Sequence, residues 1–304
     1  MAIFSSNAML FSICTLIWGS TWIAITYQVH EMHVMLSVGL RFALAAIIIG
    51  LWCIVAKVPL RIPLSQHKLI AVAGIFLYTF DYSFLYAAQQ HMISALLAVL
   101  SSTVIYFNVI LRRVLMGKHM RLEVIIGATI GMLGIVLIFL PEFAAFSAQQ
   151  GIVVGLMFAS ASFFSAAVGN VVSEKVLAGK VTVLQMNFWA MTYGVCVTTC
   201  VAFLSGASLQ FPSATSYYVS LLYLAVFGSV IAFGAYMRLL TQIGADKSAY
   251  VVLVYPVVAL LISTVFEGYQ WSLVAVLGVM FVLIGNAVAM GKLNRILRIP
   301  YIPQ

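Results

Sequence analysis

The chain has 304 residues, of which 64% are apolar and 7% are charged, and its formal net charge is +8. A soluble domain carries about 25% charged residues, so this composition excludes a soluble enzyme, a disordered chain and a secreted disulfide module. An all-α membrane protein remains, because the apolar stretches are continuous and do not alternate as barrel strands do.

The apolar runs predict ten transmembrane helices, here called spans 1 to 10. Each is long enough to cross a hydrocarbon core about 30 Å thick. The predicted spans are 8–27, 34–56, 68–88, 92–111, 122–140, 151–172, 183–204, 217–240, 247–266 and 272–291. We interpret the first run as a retained helix, because the N-terminus lacks the positive region of a signal peptide.

The basic residues predict the orientation of these spans. If the N-terminus is cytoplasmic, every Lys and Arg except Arg41 falls in an inner connection or in the C-terminal tail. This one-sided pattern follows the positive-inside rule, so we expect both termini in the cytoplasm and an even number of helices. The scattered basic residues do not favour nucleic-acid binding.

The sequence repeats internally. Spans 5 and 10 share one spacing of a leucine and two glycines: Leu122, Gly127 and Gly134 against Leu273, Gly278 and Gly285. Two five-helix repeats are therefore predicted, at 1–145 and 146–291, followed by a cytoplasmic tail at 292–304. Because five is odd, the repeats are inverted in the membrane. Inverted repeats are typical of secondary transporters, whose substrate site lies near the midplane.

Several short motifs follow one another in an order that carries a family resemblance. They are Ile17–Trp22, Arg41–Ala45, Ser94–Leu96, the span 5 glycines, Ile243–Asp246, Tyr255-Pro256, Phe266–Tyr269, Gly278 and Gly285-Asn286. With them the chain resembles an EamA-type transporter of the drug/metabolite transporter superfamily over essentially its whole length. The resemblance implies ten helices in two inverted repeats and a central cavity bounded by spans 1, 3, 4, 6, 8 and 9. It also implies transport of small metabolites, which are often amino acids and are often moved out of the cell.

The chain departs from the family pattern in one place. Family members often carry a proline in the middle of both spans 4 and 9. Span 9 has Pro256, but span 4 has Ser101-Ser102-Thr103 in the matching position. Pro256 should kink its helix, whereas span 4 should bend less, or bend through its hydroxyl groups.

Two formal charges, Arg41 and Asp81, lie well within predicted spans. Both are roughly 10 Å below the outer boundary at 1.5 Å per residue. An intramembrane charge is costly, so each should face a partner or water. In one interpretation the two pair and lock helix packing. In the other, Asp81 exchanges a proton or contacts a substrate amine, while Arg41 holds a carboxylate.

Aromatic and hydroxyl side chains surround these charges. Tyr78, Asp81, Tyr82 and Leu85 share a face at helical spacing. Such residues suit a pocket for an amphipathic small molecule, although each ring alone is also consistent with packing between helices or with contact to lipid. The predicted substrate-binding residues are Trp18, Arg41, Tyr78, Asp81, Tyr82, Ser101, Ser102 and Tyr255.

Other features favour no cofactor or catalytic chemistry. The five histidines form no metal spacing with Cys, Asp or Glu, the four cysteines lie in apolar runs without an expected disulfide, and no phosphate loop is present. The glycines of spans 5 and 10 predict scaffolding or a dimer contact. An intramembrane enzyme would need clustered catalytic groups, and a receptor or assembly factor would need a long outer loop.

We therefore expect a multi-pass transporter of a bacterial cytoplasmic (inner) membrane, working as a monomer or a homodimer. The expected function is export of small organic metabolites, such as amino acids or amine-bearing compounds, by alternating access. Either proton coupling through Asp81 or simple facilitated efflux is consistent with this reading. The alternative function is a broad exporter of drugs and lipophilic cations.

Overall fold

The computed structural model describes residues 6–92, 94–119, 122–146, 151–266 and 268–289. All regular secondary structure in these ranges is helical. The predicted tail at 292–304 lies outside them. The α-helices are α1 (Asn7–Thr26), α2 (Val34–Val55), α3 (Leu64–Gly74), α4 (Tyr82–Gln89), α5 (Ser94–Leu100), α6 (Val104–Met116), α7 (Leu122–Phe146), α8 (Gly151–Leu177), α9 (Val183–Leu204), α10 (Thr215–Tyr223), α11 (Ala232–Ser248), α12 (Val251–Phe266) and α13 (Leu273–Ala289).

Three short segments of other helical geometry join some of these α-helices end to end. The π-helical segment Ile75–Asp81 joins α3 to α4, and the π-helical segment Leu224–Ile231 joins α10 to α11. A 3₁₀ turn, Ser101–Thr103, joins α5 to α6. Each set of joined segments is therefore one long helical rod. The angle at which successive side chains leave the rod changes at the π-helical or 3₁₀ segment, and such segments often occur at functional sites.

Within the described residues, seven helical rods are long and apolar enough to cross a membrane, and three further helices are apolar but shorter. All ten lie where the apolar runs predicted spans. The long rods are Asn7–Thr26, Val34–Val55, Leu64–Gln89, Leu97–Met116, Val153–Leu177, Val183–Leu204 and Thr215–Ala245. The shorter helices are Leu122–Ile138, Val251–Phe266 and Leu273–Gly285.

Many large apolar side chains lie on the outer surface, and a number of polar side chains are buried within a mostly apolar interior. Polar residues such as Asn108 and Thr198 are fully buried, whereas Leu51 and Met157 are exposed. An apolar outer surface is compatible with lipid tails, while a polar group in lipid needs a partner from its own chain. This arrangement fits a chain whose outer surface contacts hydrocarbon.

The glycine faces of α7 and α13 contact each other within one chain. A Cβ atom added at Gly134 would lie 2.7 Å from the backbone nitrogen of Val282, and one added at Gly278 would lie 2.9 Å from the backbone nitrogen of Ile138. Small residues at this spacing let two helix backbones approach closely. The predicted scaffolding role of these glycines therefore agrees with the packing.

Replacing Gly134 with Ala is expected to lower the free energy of unfolding by about 1–3 kcal/mol, because the backbones of α7 and α13 must separate. Unfolding by sodium dodecyl sulfate in mixed micelles measures this change. Gly234→Ala is the matched control, since a Cβ there meets nothing within 4 Å. Equal effects of the two substitutions would contradict the close approach of the helices.

Candidate functional site

A cavity of about 90 Å³ lies among the helices, and its wall is mostly apolar and aromatic. The lining residues come from predicted spans 1, 3, 4, 6, 8 and 9, the six spans that the family resemblance implies. They are Trp18, Thr21, Trp22, Ile25, Leu77, Asp81, Tyr82, Leu85, Ser101, Val104, Phe163, Ala166, Asn170, Phe233, Tyr236, Val252 and Tyr255. A concave apolar site with a few polar groups is the usual form of a small-molecule site.

Asp81 is the acidic residue of this lining. It ends the first π-helical segment, and its Oδ1 accepts a hydrogen bond from the Ser162 hydroxyl on α8 at 2.6 Å. Ser162 is fully buried, so the carboxylate is held from one side by a fixed neutral donor. A carboxylate in an apolar wall attracts a cationic group, because little water competes for it.

Trp18 is held in the cavity wall by the second π-helical segment. Its indole Nε1 donates to the Gly228 carbonyl at 3.1 Å. Its ring packs 5.2 Å from Phe233 and 4.9 Å from Tyr236, measured between centroids. Trp22 lies 5.8 Å from Tyr255 in the same way. The cavity therefore has a nearly continuous aromatic side.

Tyr255 is oriented by the 3₁₀ turn of span 4. The Ser101 hydroxyl donates its proton to the Ala98 carbonyl at 2.6 Å, so Tyr255 donates to Ser101 Oγ at 2.5 Å. The predicted residues Ser101 and Tyr255 thus contact each other and both line the cavity. Their hydrogen bond joins spans 4 and 9 at mid-depth.

Ser102 compensates for the proline of span 9. Pro256 has no N–H, so the Val252 carbonyl one turn earlier loses its helical donor. Ser102 Oγ donates to that carbonyl at 3.1 Å. Ser102 is buried behind the wall and is not among the lining residues. The serines that stand in place of the family's usual proline therefore form a 3₁₀ turn and bind the helix that contains Pro256.

Replacing Ser102 with Ala is expected to lower the free energy of unfolding by about 1–3 kcal/mol, because the Val252 carbonyl then lacks a buried donor. The loss should shrink in a Pro256→Ala background, where α12 regains its own N–H. Denaturant unfolding of the parent, the two single variants and the double variant gives the coupling energy between Ser102 and Pro256. Ser205→Ala is the control, since its exposed hydroxyl bonds only within α9. A coupling energy near zero would contradict the compensation.

Tyr78 does not line the cavity. It is buried, its ring packs 4.7 Å from Phe42 and 5.1 Å from Phe233, and its hydroxyl donates to Asn187 at 3.4 Å. A regular helix would put Tyr78 on the face of Asp81 and Tyr82. The π-helical segment widens the turn, so Leu77 takes the lining position instead.

Arg41 does not form an ion pair with Asp81 in the described structure. Its guanidinium is fully buried behind the wall, with Nε donating to Ser229 at 3.0 Å and Nη1 to Tyr86 at 3.3 Å. Its Cζ also lies 4.5 Å from the centroid of the Tyr82 ring. The direct pair considered from depth alone is therefore wrong, because hydroxyl groups and a ring face surround this charge.

A buried hydrogen-bond chain continues from Arg41 toward the end of α1. Tyr86 donates to Gln28 Oε1 at 3.1 Å, and Gln28 Nε2 donates to Ser220 at 3.3 Å. Tyr86 and Gln28 are fully buried. These hydrogen bonds connect spans 2, 3 and 8 with the segment that directly follows span 1, on the predicted outer side of the cavity.

At the opposite end of the cavity, an ion pair joins α6 to α8. Arg112 Nε and Nη2 donate to the Glu174 carboxylate at 2.8 and 2.6 Å, and both side chains are mostly buried. Glu174 Oε2 also accepts the Ala245 N–H at 3.1 Å. That N–H points out of α11 because Gly244 breaks the helix with φ 82° and ψ 165°. We call these three groups the inner latch.

The sequence interpretation did not include several lining residues, notably Asn170, Phe163, Phe233 and Tyr236. Asn170 is a polar residue inside an apolar run, which was an available signal. The aromatic residues gave none, because rings at other positions of the same spans face neighbouring helices. In the described residues, no group of three His, Cys, Asp or Glu side chains lies close enough to hold a metal ion.

These features define a class of protein: a helical membrane protein with a cavity lined by aromatic residues between its helices. Comparison with known proteins identifies the family. The model of the EamA-like transporter family matches residues 6–140 and again 153–291. The chain belongs to this family of transporters.

Individual relatives are distant but nearly full-length. "Uncharacterized transporter YoaV" of Bacillus subtilis (strain 168) is 24% identical over 274 residues, covering 89% of this chain and 92% of that protein. "Uncharacterized inner membrane transporter YedA" of Escherichia coli (strain K12) is 28% identical over 263 residues, covering 84% and 81%. A "Probable amino-acid metabolite efflux pump" of Escherichia coli (strain K12) is 22% identical over 292 residues, covering 92% and 93%.

A solved crystal structure shares the fold. It superposes with a TM-score of 0.75 at 19% sequence identity, covering 96% of this chain and 99% of the other. At this identity the likeness concerns the helical arrangement alone.

Proposed function

We propose that this protein is a secondary transporter that exports small amine-bearing metabolites by alternating access. The observation that carries the proposal is the cavity, in which one carboxylate, Asp81, lies among aromatic rings. A carboxylate in an apolar cavity is costly unless a ligand or water uses it. Ring faces add attraction for a cation that approaches Asp81.

The proposal includes ten transmembrane helices in two inverted repeats, at 1–145 and 146–291, with a cytoplasmic tail at 292–304. The double match of the family model, at 6–140 and 153–291, supports this division. The two π-helical segments support it as well, because they fall in the third span of each half.

We infer that both termini are cytoplasmic and that the membrane is a bacterial inner membrane. The one-sided Lys and Arg distribution supports the orientation. The relative of Escherichia coli named as an inner membrane transporter supports the location. In this orientation the inner latch lies at the cytoplasmic end of the cavity.

Alternating access requires a closure on each side of the cavity. The inner latch is the proposed cytoplasmic closure, and the buried chain from Arg41 through Tyr86 and Gln28 is the proposed outer one. Each joins helices from both proposed repeats. Opening one side at a time would expose the cavity to one compartment while the other closure holds.

Two substrate classes, metabolites and lipophilic cations, are supported by different observations. The relative named as a probable amino-acid metabolite efflux pump supports metabolite export. The aromatic wall also supports the second candidate, a broad exporter of lipophilic cations, because rings bind such cations with little geometric demand. Asp81 is the proposed proton-coupling group in either case, with uncoupled facilitated efflux as the simpler mechanism.

Counterflow in proteoliposomes tests the proposal. The purified full-length chain is reconstituted with one unlabelled solute inside, and uptake of the labelled solute is measured for a panel of amino acids, amines and lipophilic cations. We expect exchange of a small set of amines that empty liposomes do not show. Exchange of most lipophilic cations would favour the broad exporter, and exchange of no organic solute would overturn transport through this cavity.

A further inference from the structure

We propose that the cavity has two polar poles and selects an elongated amine with a neutral hydrogen-bonding group at its far end. Asp81 binds the ammonium group, and Asn170 together with Tyr236 forms hydrogen bonds with the group at the far end. This inference rests on the proposed transport function and narrows its substrate class. It makes an α-amino acid a poor substrate.

The first pole is the Asp81 carboxylate. Its Oδ1 accepts the Ser162 hydroxyl at 2.6 Å, and in the described structure its Oδ2 accepts no hydrogen bond. Asp81 faces the cavity beside the Tyr82 ring. One oxygen is therefore positioned by the protein, and the other is available to an ammonium donor.

The second pole is formed by Asn170 on α8 and Tyr236 on α11, which both line the cavity. Tyr236 is 2% exposed, and its hydroxyl has no hydrogen-bond partner among the described residues. Ser248 on the same helix donates to the Gly244 carbonyl instead. The Asn170 amide also has no hydrogen bond to the described residues. A buried hydroxyl without a partner is costly, so a ligand that bonds to it gains affinity.

The separation of the poles follows from α8. Ser162, which holds Asp81, and Asn170 lie on the same helix, and at 1.5 Å per residue they are about 12 Å apart along its axis. Ala166 lies between them on α8, and the lining also includes Trp18 and Phe233, which offer apolar surface. A ligand that reaches both poles therefore has an ammonium group, an apolar or aromatic middle and a distant polar group.

The position of Arg41 argues against a zwitterion at the first pole. The guanidinium lies behind the wall and donates to Ser229 and Tyr86, so it does not line the cavity. The carboxylate of an α-amino acid is attached to the carbon that carries the ammonium group. It would lie next to Asp81, where like charges repel and the lining has no cation.

Counterflow with three related compounds tests the inference. They are 4-hydroxyphenethylamine, phenethylamine and tyrosine, which differ only in the far hydroxyl or the added carboxylate. For the wild-type protein we expect half-saturation for the hydroxylated amine at a concentration about tenfold lower than for phenethylamine, the usual effect of one buried hydrogen bond. Tyrosine should exchange least.

The variant Tyr236→Phe should lower the ratio between the two amines clearly below the wild-type value, because one of the two protein groups that bind the far hydroxyl is absent. The control Tyr218→Phe removes a hydroxyl that donates to the Pro212 carbonyl outside the cavity, and it should keep the wild-type ratio. If Tyr236 has only a structural role, the substitution will weaken the binding of both amines and leave the ratio of their half-saturating concentrations unchanged. That result would overturn the proposed second pole.

Other outcomes separate this inference from the proposed function. If tyrosine exchanges better than both amines, the two-pole inference is wrong and transport remains supported. Exchange of none of the three compounds also overturns the inference. In that case the wider panel of amino acids, amines and cations decides about transport by itself.

Discussion

Replacing Asp81 with Asn is expected to raise the half-saturating concentration of an amine substrate by roughly tenfold to a hundredfold. A hydrogen bond to a charged group is worth about 1.5–3 kcal/mol, and 1.4 kcal/mol corresponds to a factor of ten. Asn keeps the shape and can still accept the Ser162 hydroxyl, so the change removes charge and little else. Concentration-dependent counterflow in proteoliposomes measures the effect.

The pH dependence has a definite sign. Because a proton and a cationic amine compete for the Asp81 carboxylate, wild-type exchange should fall as pH is lowered. In the Asp81→Asn variant this fall should disappear. Glu31→Gln is the matched control, because Glu31 is an exposed carboxylate outside the cavity. Unchanged rate and unchanged pH dependence in Asp81→Asn would show that Asp81 neither binds substrate nor couples protons.

Replacing Glu174 with Gln is expected to open the proposed cytoplasmic end of the cavity. The substitution weakens both bonds from Arg112, which are 2.8 and 2.6 Å long. Breaking a buried ion pair costs about 3–5 kcal/mol, and this pair is slightly exposed, so we expect a smaller loss of about 1–3 kcal/mol. The open state should then be populated about tenfold more often.

Thiol labelling measures this opening. Ala166→Cys introduces a small reporter in the cavity wall, in a background where Cys14, Cys53, Cys196 and Cys200 are replaced by Ser. A membrane-impermeant maleimide applied to inside-out vesicles should label the reporter about tenfold faster in Glu174→Gln than in the parent. In right-side-out vesicles labelling should not increase.

Two further variants separate the latch from a general loosening of the fold. The charge-reversed pair Arg112→Glu with Glu174→Arg should restore closure in part, because the ion pair returns but Arg at 174 cannot accept the Ala245 N–H. Arg113→Gln removes the neighbouring exposed charge and should label like the parent. If Arg113→Gln opens the cavity as much as Glu174→Gln, the inner latch is not the closure.

The arrangement at Pro256 shows how far local sequence can predict tertiary structure. The family resemblance places Ser101-Ser102-Thr103 opposite the proline of span 9, and it predicts that span 4 bends less or bends through its hydroxyl groups. The structure has a 3₁₀ turn at these residues, and Ser102 bonds to the carbonyl that Pro256 leaves without a donor. The 3₁₀ turn occurs at a run of hydroxyl residues that is visible in the sequence, whereas the contact between the two spans needed the packed helices.

The sequence by itself determined the helical class and the positions of the helices, because membrane insertion depends on continuous apolar length, which is a local property. It also singled out Asp81, Tyr82 and Trp18, which line the cavity, since polar and aromatic residues within apolar runs are conspicuous. Only the tertiary structure decided which side chains meet. A π-helical turn moved Tyr78 out of the wall, hydroxyl groups held Arg41 behind it, and Asn170 of α8 and Tyr236 of α11 both came to line the cavity. These outcomes depend on the direction in which individual side chains leave each helix and on how the helices pack. Hydrophobic periodicity specifies neither.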